Sequence, residues 1–373
     1  MDSTPPRSRP PAAIAVSLAL LASIALAMAP ARAVELTIDP KTALVPVQDI
    51  IPGGPPPDGI PPIDRPVFVS VKEAGRWLRE TEPVVAFEWR GDARAYPLQI
   101  LIWHEIVNDT VGGKPVSVTY CPLCNSALAF DRVLEGTTHD FGTSGMLYHS
   151  DLVMYDRQTR SLWAQMEGRA IVGKLAGKRL TVLPTAILAW RDWREAHPQG
   201  KVLSRETGHN RPYGRNPYAG YDAADSYPFL FKGKADTRLR PMERVVAISV
   251  GEQAKAYPVA ALSGTRVLHD IVNGQPLVIF YAPGTVSALD QAEIARSREV
   301  GATGVFDPHL DGKRLAFRFD GQAIRDRETG STWNILGVAT AGPLTGRRLT
   351  RLAHVDTFWF AWAAFKPHTA LHR

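Results

Sequence analysis

The sequence predicts an α+β, β-rich protein built as a tandem duplication of two similar units packed together. Three observations carry that prediction: matched segments recurring in order, short strand-like runs between turn residues, and few stretches with helical spacing. "VVAFEWRGDARAYPL" at 84–98 returns as "VVAISVGEQAKAYPV" at 245–259. "HEIVND" (104–109) returns as "HDIVNG" (269–274), and "KPVSVTY" (114–120) as "QPLVIFY" (275–281). Further on, "DRQTRSLW" (156–163) matches "DRETGSTW" (326–333), and "GKRLT" (177–181) matches "GRRLT" (346–350). Each copy ends on a Trp pair, Trp190/Trp193 and Trp359/Trp362. Ordered self-similarity of this kind is the signature of a repeated structural unit.

Taken from the N-terminus, residues 1–33 read as an export signal. Arg7 and Arg9 precede an apolar run from Ala12 to Ala27, Pro30 breaks it, and Ala31-Arg32-Ala33 gives a small-x-small cleavage pattern. The run is shorter than the ~20 residues a bilayer span needs, and no later segment is long and apolar enough, so no membrane span is expected after cleavage. The expected location is the periplasm or another exported compartment. Residues 34–66 form a lead-in whose "IPGGPPPDGIPPIDRP" (51–66) is too rich in Pro and Gly for regular structure. Residues 67–200 make repeat 1, residues 201–240 an aromatic, turn-rich bridge, and residues 241–373 repeat 2. Within repeat 1, "PVVAFEW", "PVSVTY" and "DLVMYD" read as strands, with turns at "RGDA", "VGGK" and "DRQT". "QILIWHEIVN" and "TAILAWRDWREAH" have spacing closer to helix.

Composition narrows the function. A formal charge of +6 spread over scattered Lys and Arg offers no basic stripe, which argues against a nucleic-acid partner. With 45% hydrophobic residues, the chain can bury ordinary cores without cross-links. Yet its only two cysteines, Cys121 and Cys124, fall within four residues in "TYCPLCNSALAFDR". Chemistry is therefore expected there.

The first reading is thiol redox, with Cys121 attacking and Cys124 resolving, toward a protein or small-molecule thiol/disulfide partner. Pro122 suits a first helical turn, and a helix N-terminus would lower the Cys121 pKa. His104 and His149 are candidate neighbours that tune or deprotonate the thiol. The second reading is a copper or zinc site at Cys121 and Cys124, completed by His104, His139, His149 or Met146. The third is a non-enzymatic interaction protein with a structural disulfide, its aromatic bridge binding a partner. Repeat 2 serves as an internal control. There Ala282 and Thr285 stand in place of the cysteines, so the scaffold is expected to build this turn without thiols. By string alignment His269 matches His104, which favours a scaffold role for both, and Glu105 is expected to cap or pair locally.

The string "AYPLQILIWHEIVNDTVGGKPVSVTYCPLCNSALAFDR", with "GTSGMLYHSDLVMYDRQTRSLW" and "GGPPPDGIP", resembles the DUF3179 family. The resemblance runs from about residue 45 onward. It implies an exported protein centred on the Y-C-P-L-C segment, and leads one to expect Gly where this chain has Asn125.

Overall fold

The computed structural model describes residues 1–2 and 34–372, so the export-signal reading of 1–33 lies outside the described residues but for the first two. Strands dominate and every helix is short. Among the described residues no helix is long and apolar enough to cross a membrane. Three larger sheets and a two-stranded one, Val133–Leu134 with Thr137–Thr138, build the first half. Strands Ala186–Ala189, Pro83–Trp89, Asp92–Pro97, Lys201–Leu203 and Phe68–Ser70 form one. Val182–Leu183, Ser126–Asp131, Lys114–Cys121 and Ile106–Val111 form the second. Ile50–Pro52, Phe141–Tyr148, Asp151–Asp156, Leu162–Ala164 and Arg169–Val172 form the third. The expected turns are present: Arg90 and Gly91, then Gly112 and Gly113, have positive φ between paired strands, the geometry that two-residue hairpin loops favour.

The helical expectation for "QILIWHEIVN" holds only at its start. Leu98–Leu101 is helical, but Ile106–Val111 is a strand, because Val107 and Ile106 pair with Val118 and Thr119. In "TAILAWRDWREAH" the helix is Trp190–Ala196, while Ala186–Ala189 pairs with Pro83–Trp89. Sheet pairing overrides local spacing in both. The Pro/Gly-rich lead-in packs through buried Ile51 and Ile63, and Ile63 exchanges backbone hydrogen bonds with Ile106 and Asn108.

Matched positions in the two halves carry matched contacts. The Trp163 indole donates to Asp156 Oδ2 at 3.0 Å, and the Trp333 indole to Asp326 Oδ2 at 2.9 Å. Hairpin register corrects one sequence match, however. Val111 pairs with Lys114 and Val272 with Gln275, which sets Asp109 level with Asp270. Asp109 accepts from Tyr96 Oη and pairs with Arg94, while Asp270 accepts from Tyr257 Oη and pairs with Lys255. The same register sets Glu105 opposite Arg266. Both are left-handed, at φ 58° and 64°, and their carbonyls accept from Tyr120 and Tyr281. "HEIVND" and "HDIVNG" are thus alike as strings but four residues out of register, and Thr265, not His269, stands at the place of His104.

The tight cysteine turn is also confined to the first half. Cys121 pairs with Ser126 across a short loop, whereas Ala282 pairs with Ala302 across residues 283–301. That long loop packs on the bridge, with Asn216 N–H donating to Ala292 O and Gly220 N–H to Asp290 O. The expectation that the second half builds the same turn without thiols is not met.

Candidate metal centre

Cys121 ends the strand Lys114–Cys121 and a four-residue turn returns the chain into Ser126–Asp131. No helix begins here, so the expected dipole effect on the thiol is absent. Pro122 serves a hairpin turn instead, since its fixed φ suits the first turn position as well as a first helical residue. Asn125 closes the turn at φ 53°, its N–H donating to Pro122 O at 3.2 Å. Gly or Asn is the residue such a left-handed position favours, which accounts for Asn125 where Gly was expected.

The turn is pinned from outside by its carbonyls. Tyr221 Oη, from the aromatic bridge, donates to Leu123 O at 3.0 Å. Thr357 Oγ1 and the Phe358 N–H both donate to Cys124 O, at 2.8 and 3.0 Å. Ser126, Gln165 and Thr119 form a buried polar chain beneath it, with Ser126 Oγ donating to Gln165 Oε1 and Gln165 Nε2 to Thr119 Oγ1.

A second hairpin meets the first. Tyr148 pairs with Asp151 around a two-residue turn, His149 and Ser150, both left-handed at φ 54° and 65°. That turn favours Asn and Gly, so His-Ser holds it at a cost of order 1 kcal/mol per residue. The strained turn aims Ser150 O at Cys124 Sγ, 3.5 Å away, and brings Asp151 to the thiols. One ligand atom from each of Cys121, Cys124 and Asp151 lies within 4.8 Å of the others. Cys121 is 2% exposed, Cys124 and Asp151 0%, and both cysteines are free.

Asp151 was missed by sequence reading, though it closes the "LYHSD" segment. Its Oδ2 accepts from Met166 N–H at 2.9 Å, and its buried Oδ1 has no hydrogen-bond partner among the described residues. Burial pushes its carboxyl up to about 7. Glu105, buried nearby on its left-handed backbone, neither caps a helix nor enters an ion pair among the described residues. Burial, then the Asp151 charge, pushes it up to about 8. Both thiols are also raised by burial, Cys124 strongly. Burial thus disfavours charge on every acid of the cluster, and neither thiol is held as an activated thiolate.

The named histidines and methionine lie elsewhere. His104 is fully buried, with Nδ1 2.6 Å from Pro61 O and Nε2 2.7 Å from Tyr213 Oη. A carbonyl only accepts, so Nδ1 carries the proton and Nε2 takes the tyrosine hydroxyl. His139 faces Asp156 at 3.4 Å. The His149 ring packs on Tyr148 and Phe365, with centroids 4.0 and 5.4 Å away. Met146 pairs with Pro52 on the outer strand of its sheet. Ser144 is consumed by a bulge, donating to Val153 O and accepting from Met146 N–H. The donor set that does form is Cys, Cys and Asp.

Fold and site together define a β-rich protein with a buried Cys-Cys-Asp cluster. A family model described as "Protein of unknown function (DUF3179)" matches residues 57–369, and the chain belongs to that family. Neither a curated protein nor a solved structure matches it significantly.

Proposed function

We propose that the chain is a metal-binding protein and that its ion is zinc, held by Cys121, Cys124 and Asp151. The observation that supports this best is the convergence of three ligand atoms within 4.8 Å, from two hairpin turns, in a buried place. Bonds of ~2.0–2.3 Å put tetrahedral ligands roughly 3.3–3.8 Å apart, so a small contraction suffices. The carboxylate favours zinc over copper(I), which prefers sulfur alone. A bound cation would also remove the cost of burying several acids together, by drawing their protons off. Three protein donors would leave a four-coordinate ion one further ligand to find, a water or another buried group.

Metal analysis of protein purified without chelator tests this reading. One zinc per chain is expected, lost in Cys121→Ser, Cys124→Ser and Asp151→Ala, with thiolate-to-metal charge-transfer absorption on cobalt(II) substitution. Substoichiometric metal, or zinc retained when both cysteines are replaced, would overturn it.

Thiol redox is the second reading, supported by two free sulfurs close enough to hydrogen-bond on one turn. In that step Cys121 and Cys124 form a disulfide, releasing two protons and passing two electrons to a partner disulfide, which becomes two thiols. The raised thiol pKa values and the burial weigh against it. Alkylation separates the two: slow labelling that a chelator accelerates favours metal, and labelling indifferent to chelator favours redox.

We further propose that the chain is a tandem duplication, supported by the repeated Asp–Trp and Asp–Tyr contacts, and that it is exported, supported by residues 1–33. N-terminal sequencing of the mature protein tests the latter, with Val34 the expected first residue.

A further inference from the structure

The second half has a cavity on the side where the first half has its cysteines. It measures about 560 Å³ and lies between helix Trp190–Ala196 and the strands around Tyr281 and Trp333. Its wall includes Ala282 and Pro283, level with Cys121 and Pro122, and Arg266, level with Glu105. An acid in one half is thus a guanidinium in the other. The Arg266 guanidinium carbon sits 5.1 Å from the Tyr281 ring centroid and 5.8 Å from that of Phe319. Among the described residues its buried Nη1 has no hydrogen-bond partner and no ion pair includes it. An arginine flanked by rings, with its donor fork unspent, matches planar carboxylate recognition.

Phe319 is 38% exposed, leaving apolar ring surface available at the cavity. Glu195 also lines the wall, next to an Asp192 already paired with Arg191, and a second negative charge on a ligand would meet the Glu195 carboxylate. A volume of this size lies in the range of small-molecule sites. We propose that this cavity binds a small organic monocarboxylate, its carboxylate on Arg266 and its apolar body against Phe319 and Tyr281. The inference is independent of the metal reading, because none of these residues belongs to the Cys-Cys-Asp cluster.

Titration calorimetry of the full chain with hexanoate, 3-phenylpropionate and glutarate tests it. Saturable binding of a monocarboxylate at millimolar or lower concentration is expected, with glutarate at least about tenfold weaker. Arg266→Gln should weaken monocarboxylate binding by about tenfold or more, as loss of a charge-assisted pair does. Because Arg266 is left-handed and its substitution could disturb the strand entry, Phe319→Ala and Glu195→Gln serve as exposed-side variants. Phe319→Ala should weaken both monocarboxylates, and Glu195→Gln should narrow the gap to glutarate. No saturable heat from either monocarboxylate, or binding unchanged in a folded Arg266→Gln protein, would overturn the proposal.

Discussion

The hairpin that ends at Cys121 and the one that ends at Ala282 share strand lengths, register and a tyrosine one residue before the end. They differ in what joins them to the next strand. The first turns back at once, and its carbonyls are clamped by Tyr221, Thr357 and Phe358. The second departs through residues 283–301, and beside it a cavity stays open. One strand pair can therefore seal two thiols and a carboxylate into a core or leave a solvent-reachable pocket, according to loop length and one charge reversal, Glu105 against Arg266.

The sharpest way to break this comparison is to remove the ligands from the sealed side. Asp151→Ala or Cys124→Ser should abolish stoichiometric zinc and, with it, the ligand-linked part of stability. At zinc a hundred to a thousand times above Kd that part is about 3–4 kcal/mol, read as a fall in Tm with and without chelator. A Tm indifferent to zinc in the native chain would sink it.

Next in size is an effect that should be similar in both halves, Asp156 differing from Asp326 by its added contact to His139. Asp156→Ala and Asp326→Ala each strip an indole and a turn of their acceptor, and each should cost about 2–4 kcal/mol by denaturant unfolding. A large inequality would show that the two contacts only look alike.

A third effect should distinguish the halves. Burial holds His104 at about 4, below its ordinary 6.5, so the folded state resists a proton that the unfolded chain accepts. Its contribution is complete above the unfolded value, falls as pH drops through 6.5, and is exhausted near 4. By about pH 5 the loss is about 2 kcal/mol, measured as the stability difference between the native chain and His104→Gln across pH. His269 is exposed, so a charged imidazole there keeps its hydration and His269→Gln should alter the pH slope far less.

The smallest effect concerns Asn125. Asn125→Gly should change stability by less than about 0.5 kcal/mol, while Asn125→Val should cost about 1–2 kcal/mol at this left-handed position. Equal losses would mean that the Tyr120 hydroxyl contact to Asn125, not the backbone, decides the residue.

Much of this was legible in the sequence. The strand runs, the Gly-rich turns and the cysteine pair declared themselves through local composition. What escaped required pairing information. Pro122 has the same φ in a helix start and in a hairpin turn, and only the Tyr120–Ala127 pairing decides between them. "HEIVND" resembles "HDIVNG" more closely as text than as structure, because register is fixed by where each strand meets its partner. Asp151 gave no signal of its own. A single acid at a strand start is commonplace until the neighbouring turn brings two thiols to it. Histidine drew attention for its chemistry, yet His104 spends both ring nitrogens on Pro61 and Tyr213.

The bond from Thr357 to Cys124 spans 233 residues of chain, and that from Tyr221 to Leu123 spans 98. Such long-range closures carry the largest loop-closure cost and are expected to form late. During synthesis and folding, the thiol pair would thus wait beside Asp151 without its cover until the last part of the chain arrives. On the zinc reading that interval is when the ion would enter, and truncation near the C-terminus should leave the cluster porous even with Cys121, Cys124 and Asp151 intact.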